Sequence, residues 1–412
     1  MSELSKKNNI FFRNFLKGLF SVTTGSIVIK ISILFLNITL LNNVAKSESS
    51  DIAKIFSLGL SSSSLLYLSS SRYIAKEYLK KTTDLKKLLK MAFSVILVVS
   101  FIALFLLYFI YSEKKGMVFV FTLFIFIFLI SFFDLLMNVA NAIGLNKFAA
   151  LGQVILSLSL FFSIFLANIN YDLFLNLVVP LFLITSVIAS LYIYMNLMKV
   201  PLIIEIRSNL TKASAFKDMM YYSLPLMLGN IFFNPLILWS VSEISGINNK
   251  DFILFLASMN MLGIAMLLPG QVNTVSFSFL AKNESNINKN FTIIFTLLFS
   301  ALISVLIINF SLPYLGFIYG SEIENILIPV FWITLCVFPF VIIQYCSSRL
   351  FLSGNPWSDA LSNMLFGIIF VVGCFFIRQY EFGIKEISML LLFCYILRLI
   401  CIGFLYFNKV KA

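Results

Sequence analysis

The chain has 412 residues, of which 60% are hydrophobic, with 30 Lys and Arg against 18 Asp and Glu for a net charge of +12. No soluble domain of this length has an interior large enough for that apolar content, and the mean hydropathy of +0.99 places most of the chain in lipid. The absence of histidine excludes Ser-His, Cys-His and His-metal mechanisms, and no Gly-rich phosphate loop is present to drive an ATP-powered pump.

In chain order, the apolar stretches predict twelve transmembrane helices: 18–41, 52–71, 91–111, 117–139, 149–168, 174–198, 223–243, 252–278, 291–312, 326–346, 358–377 and 386–407. Each holds about 20 residues, which at 1.5 Å per residue crosses a hydrocarbon core of roughly 30 Å. The first follows a basic segment but lacks a small-residue cleavage site, so it is expected to be retained.

Between these stretches the outer loops, near 42–51, 112–116, 169–173, 244–251, 313–325 and 378–385, leave no room for an extracytoplasmic domain. Two inner segments, 72–90 and 199–222, are basic and amphipathic and are expected to lie on the anionic cytoplasmic leaflet. With both termini inside, twenty-one of the thirty Lys and Arg fall on inner loops and tails, seven fall outside, and Lys30 and Arg398 lie within helices. That bias predicts an N-in, C-in topology in the cell inner (plasma) membrane. Charges so dispersed do not form a nucleic-acid surface.

The linker 199–222 divides the chain into an N-terminal six-helix lobe, 1–198, and a C-terminal one, 223–412. Ser21-Val-Thr-Thr-Gly and Ser223-Leu-Pro-Leu-Met open the first helix of each half, and a short polar outer loop follows each. Both halves start inside, so the repeats are related by an axis along the membrane normal. The expected fold is all-α and polytopic, with two lobes around a central cavity.

Charges within helices carry most of the functional information, since each is costly in lipid unless it meets water or a partner. Lys30 lies midway along the first helix, Arg398 near the middle of the last, and Asp134 five or six residues from the inner end of the fourth. Glu243 and Lys54 sit near outer ends, and Arg72, Arg349 and Asp359 near inner ends. Lys30 or Arg398 paired with Asp134 or Glu243 would only fix packing. Unpaired, two deep cations against one deep acid favour an anionic ligand. Runs of serine at 61–64 and 69–71 fit either a wet wall or close helix packing. Pro180, Pro225, Pro235, Pro269, Pro329 and Pro339 predict kinks. Asn230, Asn234, Gln271 and Asn273, beside those breaks, are candidate sugar or ion contacts. Cys336, Cys346, Cys374, Cys394 and Cys401 follow no metal or disulfide spacing, so no metal, cofactor or catalytic group is expected.

Several stretches resemble a known family. Leu224-Pro-Leu-Met-Leu-Gly-Asn-Ile-Phe-Phe-Asn-Pro235-Leu-Ile-Leu-Trp239, Phe255-Leu-Ala-Ser-Met-Asn260 and Leu268-Pro-Gly-Gln-Val-Asn273 look like the start of the second half of O-antigen flippases of the Wzx type. These belong to the superfamily that includes multidrug and toxin extrusion (MATE) transporters. Asn141-Ala-Ile-Gly-Leu-Asn-Lys147, Leu315-Gly-Phe-Ile-Tyr-Gly320 and Leu352-Ser-Gly-Asn-Pro-Trp357 resemble loops of that superfamily, whereas the outer loop after helix seven lacks its usual aromatic and glycine pattern. The resemblance implies a non-enzymatic monomer that moves undecaprenyl-diphosphate-linked oligosaccharide between leaflets and hands it to a polysaccharide polymerase and chain-length regulator. Lys30 and Arg398 would then hold the diphosphate. A cation-coupled drug exporter would rely on deep acids such as Asp134, and an O-antigen polymerase would need a larger outer loop.

Overall fold

The computed structural model describes residues 23–40, 47–67, 70–79, 84–199, 212–281, 287–311 and 323–410. Their regular structure is all helical. In order these are α1 (Thr23–Leu40), α2 (Ser47–Leu66), α3 (Ser71–Leu79), α4 (Leu85–Ser112), α5 (Gly116–Ala142), α6 (Asn146–Ile169), α7 (Tyr171–Leu197) and α8 (Lys212–Ile231). There follow α9 (Asn234–Trp239) with a π-helical turn at Ser240–Ile244, α10 (Asn249–Ala265), α11 (Leu267–Ala281), α12 (Ile287–Ser311), α13 (Ile323–Leu335), α14 (Val337–Leu352), α15 (Pro356–Gln379) and α16 (Ile384–Val410). Ten segments are long and apolar enough to cross a membrane, and α10 with α11, bent by 48°, makes an eleventh when counted as one span. Helix α2 falls outside that count because its serines, Glu48, Asp51 and Lys54 dilute its hydropathy.

Proline explains where the helices break. Helices α8, α10 and α13 end at Ile231, Ala265 and Leu335, each four residues before Pro235, Pro269 and Pro339. A proline ring clashes with the carbonyl four residues back and offers it no N–H, so the ladder stops there and restarts after a turn. Pro180, Pro225 and Pro329 stay inside continuous helices.

Turns follow equally local rules. Asn170 caps α7 by accepting from the backbone N–H of Asp172 and Leu173, which permits a one-residue junction with α6. Gly116, at φ 80, allows α4 to reverse into α5. Gly144 and Gly354 both have φ 91, and the N–H groups after them reach back to Ala140 and Leu350 at 2.8 Å. The corner between α5 and α6 is thus built like that between α14 and α15, by a left-handed residue ending a helix.

Small residues set the close packing. Gly59 of α2 lies against the Phe126 ring of α5, Gly152 of α6 against Ile193 of α7, and Gly367 of α15 under the carbonyl of Phe232 at the α8–α9 break. Helices of residues 23–199 pack chiefly on one another, as do those of 212–410. The two sets meet where α2 touches α8, α9 and α10, where α3 touches α8 and α11, and where Lys30 of α1 approaches Gly263 of α10.

The first basic segment has protein contacts that its pattern did not announce. Helix α3 buries Tyr73, Ile74, Ala75 and Lys76 against the protein. Lys76 Nζ is 3.7 Å from the centre of the Tyr222 ring on α8, and that ring stacks on Tyr73 at 5.8 Å. A cation held on an aromatic face tolerates the loss of water that a bare ammonium would not. Burial, with the Glu77 and Asp218 carboxylates nearby, also raises the Tyr73 phenol above its usual range. Residues 200–211, half of the second basic segment, lie outside the described residues, and 212–222 belong to α8.

Candidate functional site: two cavities and an aromatic partition

The breaks described above open two cavities where the two sets of helices meet. The first, about 340 Å³, is lined by Tyr67 and Arg72, by Asn138 of α5, by Asn230, by Asn273 of α11, by Gln344, Ser347 and Ser348 of α14, by Asp359 and Asn363 of α15, and by Arg398 of α16. Five of its buried polar atoms have no hydrogen-bond partner among the described residues: Asn273 Oδ1, Gln344 Oε1, Ser348 Oγ, Asn363 Oδ1 and Arg398 Nε. Buried polar groups are nearly always satisfied, so five orphans in one cavity mark a place for water or a hydrogen-bonding ligand.

Its electrostatics are lopsided. Arg398 donates to Asp359 Oδ1 at 3.2 Å, and Ser347 donates to the same oxygen at 2.6 Å. The guanidinium also stacks 4.9 Å from the Phe233 ring centre. That pair is neutral. Arg72, whose charge is felt at Arg398 and Tyr67, has no salt-bridge partner among the described residues, so the cavity carries a net positive charge.

The second cavity, about 290 Å³, is lined by Lys30 and Asn37 of α1, by Phe56, Ser57 and Ser61 of α2, and by Asn260 and Gly263 of α10. Lys30 makes no hydrogen bond or salt bridge among the described residues; Asp134 acts on it only through its charge. Asp134 instead accepts a short hydrogen bond from Ser63 of α2. Gly263 gives Lys30 its room, since a methyl group there would stand 3.2 Å from Nζ.

Phe233 and Phe340 line both cavities and, with Tyr395 of the smaller one, form the partition between them. Their ring centres lie 5.7 to 6.5 Å apart, and Phe366 backs them 5.1 Å from Tyr395. Phe233 sits in the α8–α9 break and Phe340 three residues into α14, so both prolines that interrupt these helices help place the partition.

The remaining candidates are elsewhere. Lys54 Nζ and Glu243 Oε1 are 3.0 Å apart, tying α2 to the π-helical turn. Arg349 donates to the Tyr345 hydroxyl at 3.4 Å, on a face of α14 other than the one that Gln344 and Ser348 turn to the cavity. Gln271 is tied to Ser26 of α1 at 3.1 Å. The Asn234 side chain lies outside the described residues. The expected partners of the deep cations need correcting: Arg398 pairs with Asp359, not with Asp134 or Glu243, and Glu243 pairs with Lys54. Sequence reasoning missed Gln344, Ser347, Ser348 and Asn363. The first three recur at i, i+3 and i+4 in an otherwise apolar span, a one-faced polar stripe that the helical period could have revealed.

The Lys54–Glu243 pair is open to a direct test. Reversing either charge alone, Lys54→Glu or Glu243→Lys, sets like charges against each other where the native pair meets at 3.0 Å and should reduce both activity and abundance in the membrane. The double reversal should restore both; failure to do so would detach the pair from helix registration.

No family model matches the chain, and no curated relative matches it. Solved structures do. A MATE transporter in its straight conformation superposes with a TM-score of 0.71 at 14% identity, covering 97% of each chain. A MOP superfamily transporter from Pyrococcus furiosus, described as having a binding pocket of reversed polarity, gives 0.71 at 13% identity over 97% of this chain and 96% of that one. An outward-facing multidrug resistance MATE transporter gives 0.67 at 14% identity over 97% and 95%. Over nearly its whole length, this multi-pass membrane protein has the fold of MATE-like transporters of the MOP superfamily.

Proposed function

We propose that the protein is a flippase that carries a polyprenyl-diphosphate-linked oligosaccharide, of O-antigen or similar surface-polysaccharide type, across the cell inner membrane by alternating access. The observation that carries this reading is a cation without a salt-bridge partner among the described residues on each side of the aromatic partition, Arg72 in one cavity and Lys30 in the other. A lone Lys deep in a membrane helix costs about 3 kcal/mol, which an anionic ligand offsets. A diphosphate fits both stations as an anion, and a guanidinium fork suits its oxygens. The orphaned amides and hydroxyls of the larger cavity supply what sugar hydroxyls need. The lipid tail stays in the bilayer.

In this proposal the chain crosses the membrane twelve times with both termini inside. The lobes 1–198 and 223–412, joined by 199–222, rock about the partition as a monomer, and polymerase and chain-length regulator act on the product. Reporter fusions after residues 80, 114 and 250 test the topology. The first should report cytoplasmic and the other two periplasmic; any other pattern overturns the N-in, C-in assignment.

A second reading, a cation-coupled drug exporter, is favoured by the fold likeness to multidrug transporters and by Asp134, a deep carboxylate held by Ser63. A deletion strain separates the two. Lipid-linked repeat units trapped on the cytoplasmic face, with surface polymer lost, support the flippase. Unchanged polysaccharide with increased drug sensitivity would replace it with the exporter.

A further inference from the structure

Helices α14 and α16 each have two working faces. One turns Gln344, Ser348 and Arg398 into the polar cavity, and the other, with α12, forms a separate apolar groove of about 620 Å³ lined by Leu297, Val341, Leu399, Ile400, Gly403 and Phe404. Its rim faces outward from the protein: Ile400, Phe404 and Phe407 are 64%, 67% and 59% exposed. The groove is empty in front of Gly403, where a methyl group would touch nothing within 4 Å. Toward the C-terminal ends of α14 and α16 the lining changes character. Tyr345 and Tyr406 bring phenol groups to the groove, and the Arg349 guanidinium lies 5.7 Å from the Tyr345 ring centre, with Nε donating to its hydroxyl.

From this we infer a lipid site that is independent of the transport cavities: an anionic glycerophospholipid lays one acyl chain in the groove and sets its phosphate against Arg349. The chemistry grades as such a lipid does. Between Leu399 and Phe407 the groove runs about 12 Å along α16, a length of hydrocarbon chain. A planar cation bonded to the Tyr345 phenol stands at one end, near the helix termini, where headgroups lie. Charge complementarity selects an anionic headgroup over a zwitterionic one. A lipid held there braces the apolar side of the same two helices that wall the polar cavity.

Native mass spectrometry of the purified full-length protein tests this with phosphatidylglycerol and phosphatidylcholine of identical chains. Phosphatidylglycerol should be retained at about tenfold lower concentration than phosphatidylcholine. Arg349→Gln should remove that preference and leave phosphatidylcholine unchanged, Arg349→Lys should keep most of it, and Gly403→Leu should weaken both lipids by filling the groove. Melting in lipid-free detergent confirms that each variant folds, and if Arg349→Gln does not, Arg349→Lys and Gly403→Leu decide. An undiminished preference in Arg349→Gln, or wild-type binding in Gly403→Leu, overturns the site. Displacement of phosphatidylglycerol by an equal concentration of undecaprenyl phosphate overturns the occupant and reassigns the groove to the carrier chain.

Discussion

Lys30→Ala is expected to abolish export while leaving the protein at wild-type abundance in the membrane. The two outcomes separate because Lys30 has no salt bridge to lose among the described residues: its ammonium points into a cavity beside Gly263, and Asp134 acts on it only at a distance. Removing an unpaired deep charge relieves a cost of about 3 kcal/mol rather than creating one, so folding should be unchanged or improved. Transport responds in the opposite direction. Truncating one side of a desolvated charge contact costs about 2 to 5 kcal/mol, a loss of roughly 30- to 4,000-fold in ligand affinity. Lys30→Arg should retain part of the activity because the charge survives, and Lys30→Met should behave like Ala because the stem without the charge does not. Quantitative immunoblotting of membranes beside surface polysaccharide reads both quantities. Reduced abundance in Lys30→Met would make Lys30 a packing residue and remove the smaller cavity from the substrate path.

The pattern of apolar stretches made the helical architecture legible, because backbone groups in lipid are satisfied within a helix and a span needs a fixed length. Prolines at 235, 269 and 339 marked the breaks for an equally local reason. What remained hidden was pairing at a distance. Asp359 looked like an end-located acid near water, yet it takes both Arg398, thirty-nine residues away, and Ser347. Lys54 and Glu243 are 189 residues apart and meet at 3.0 Å. No periodicity reports such contacts. The same limit applies to α3, whose basic, amphipathic pattern suits a leaflet as well as it suits the Tyr222 ring. The polar stripe on α14 was readable in principle, but serines in membrane helices also serve close packing and usually bond to their own backbone, so they carry little information without the neighbouring helix.

Asp359→Ala is expected to lower membrane abundance more than any other single change in the polar cavity. It would leave the Arg398 guanidinium, 6% exposed, without its carboxylate, and Ser347 without its acceptor. Breaking one side of a buried pair costs about 3 to 5 kcal/mol, a large share of the 5 to 15 kcal/mol typical of a folded domain. Arg398→Met should also destabilise, though less, because Ser347 still hydrogen-bonds the remaining carboxylate. The double variant Arg398→Met with Asp359→Leu removes both charges together, and replacing a buried pair by apolar groups of similar size is often neutral for stability. Abundance should therefore recover, and transport in that double variant decides the role of the pair. Recovered protein without export places Arg398 among the groups that touch substrate, through the Nε that no atom of the described residues satisfies. Recovered protein with normal export makes the pair a packing device, and leaves Arg72 and the orphaned amides to recognise the ligand in this cavity.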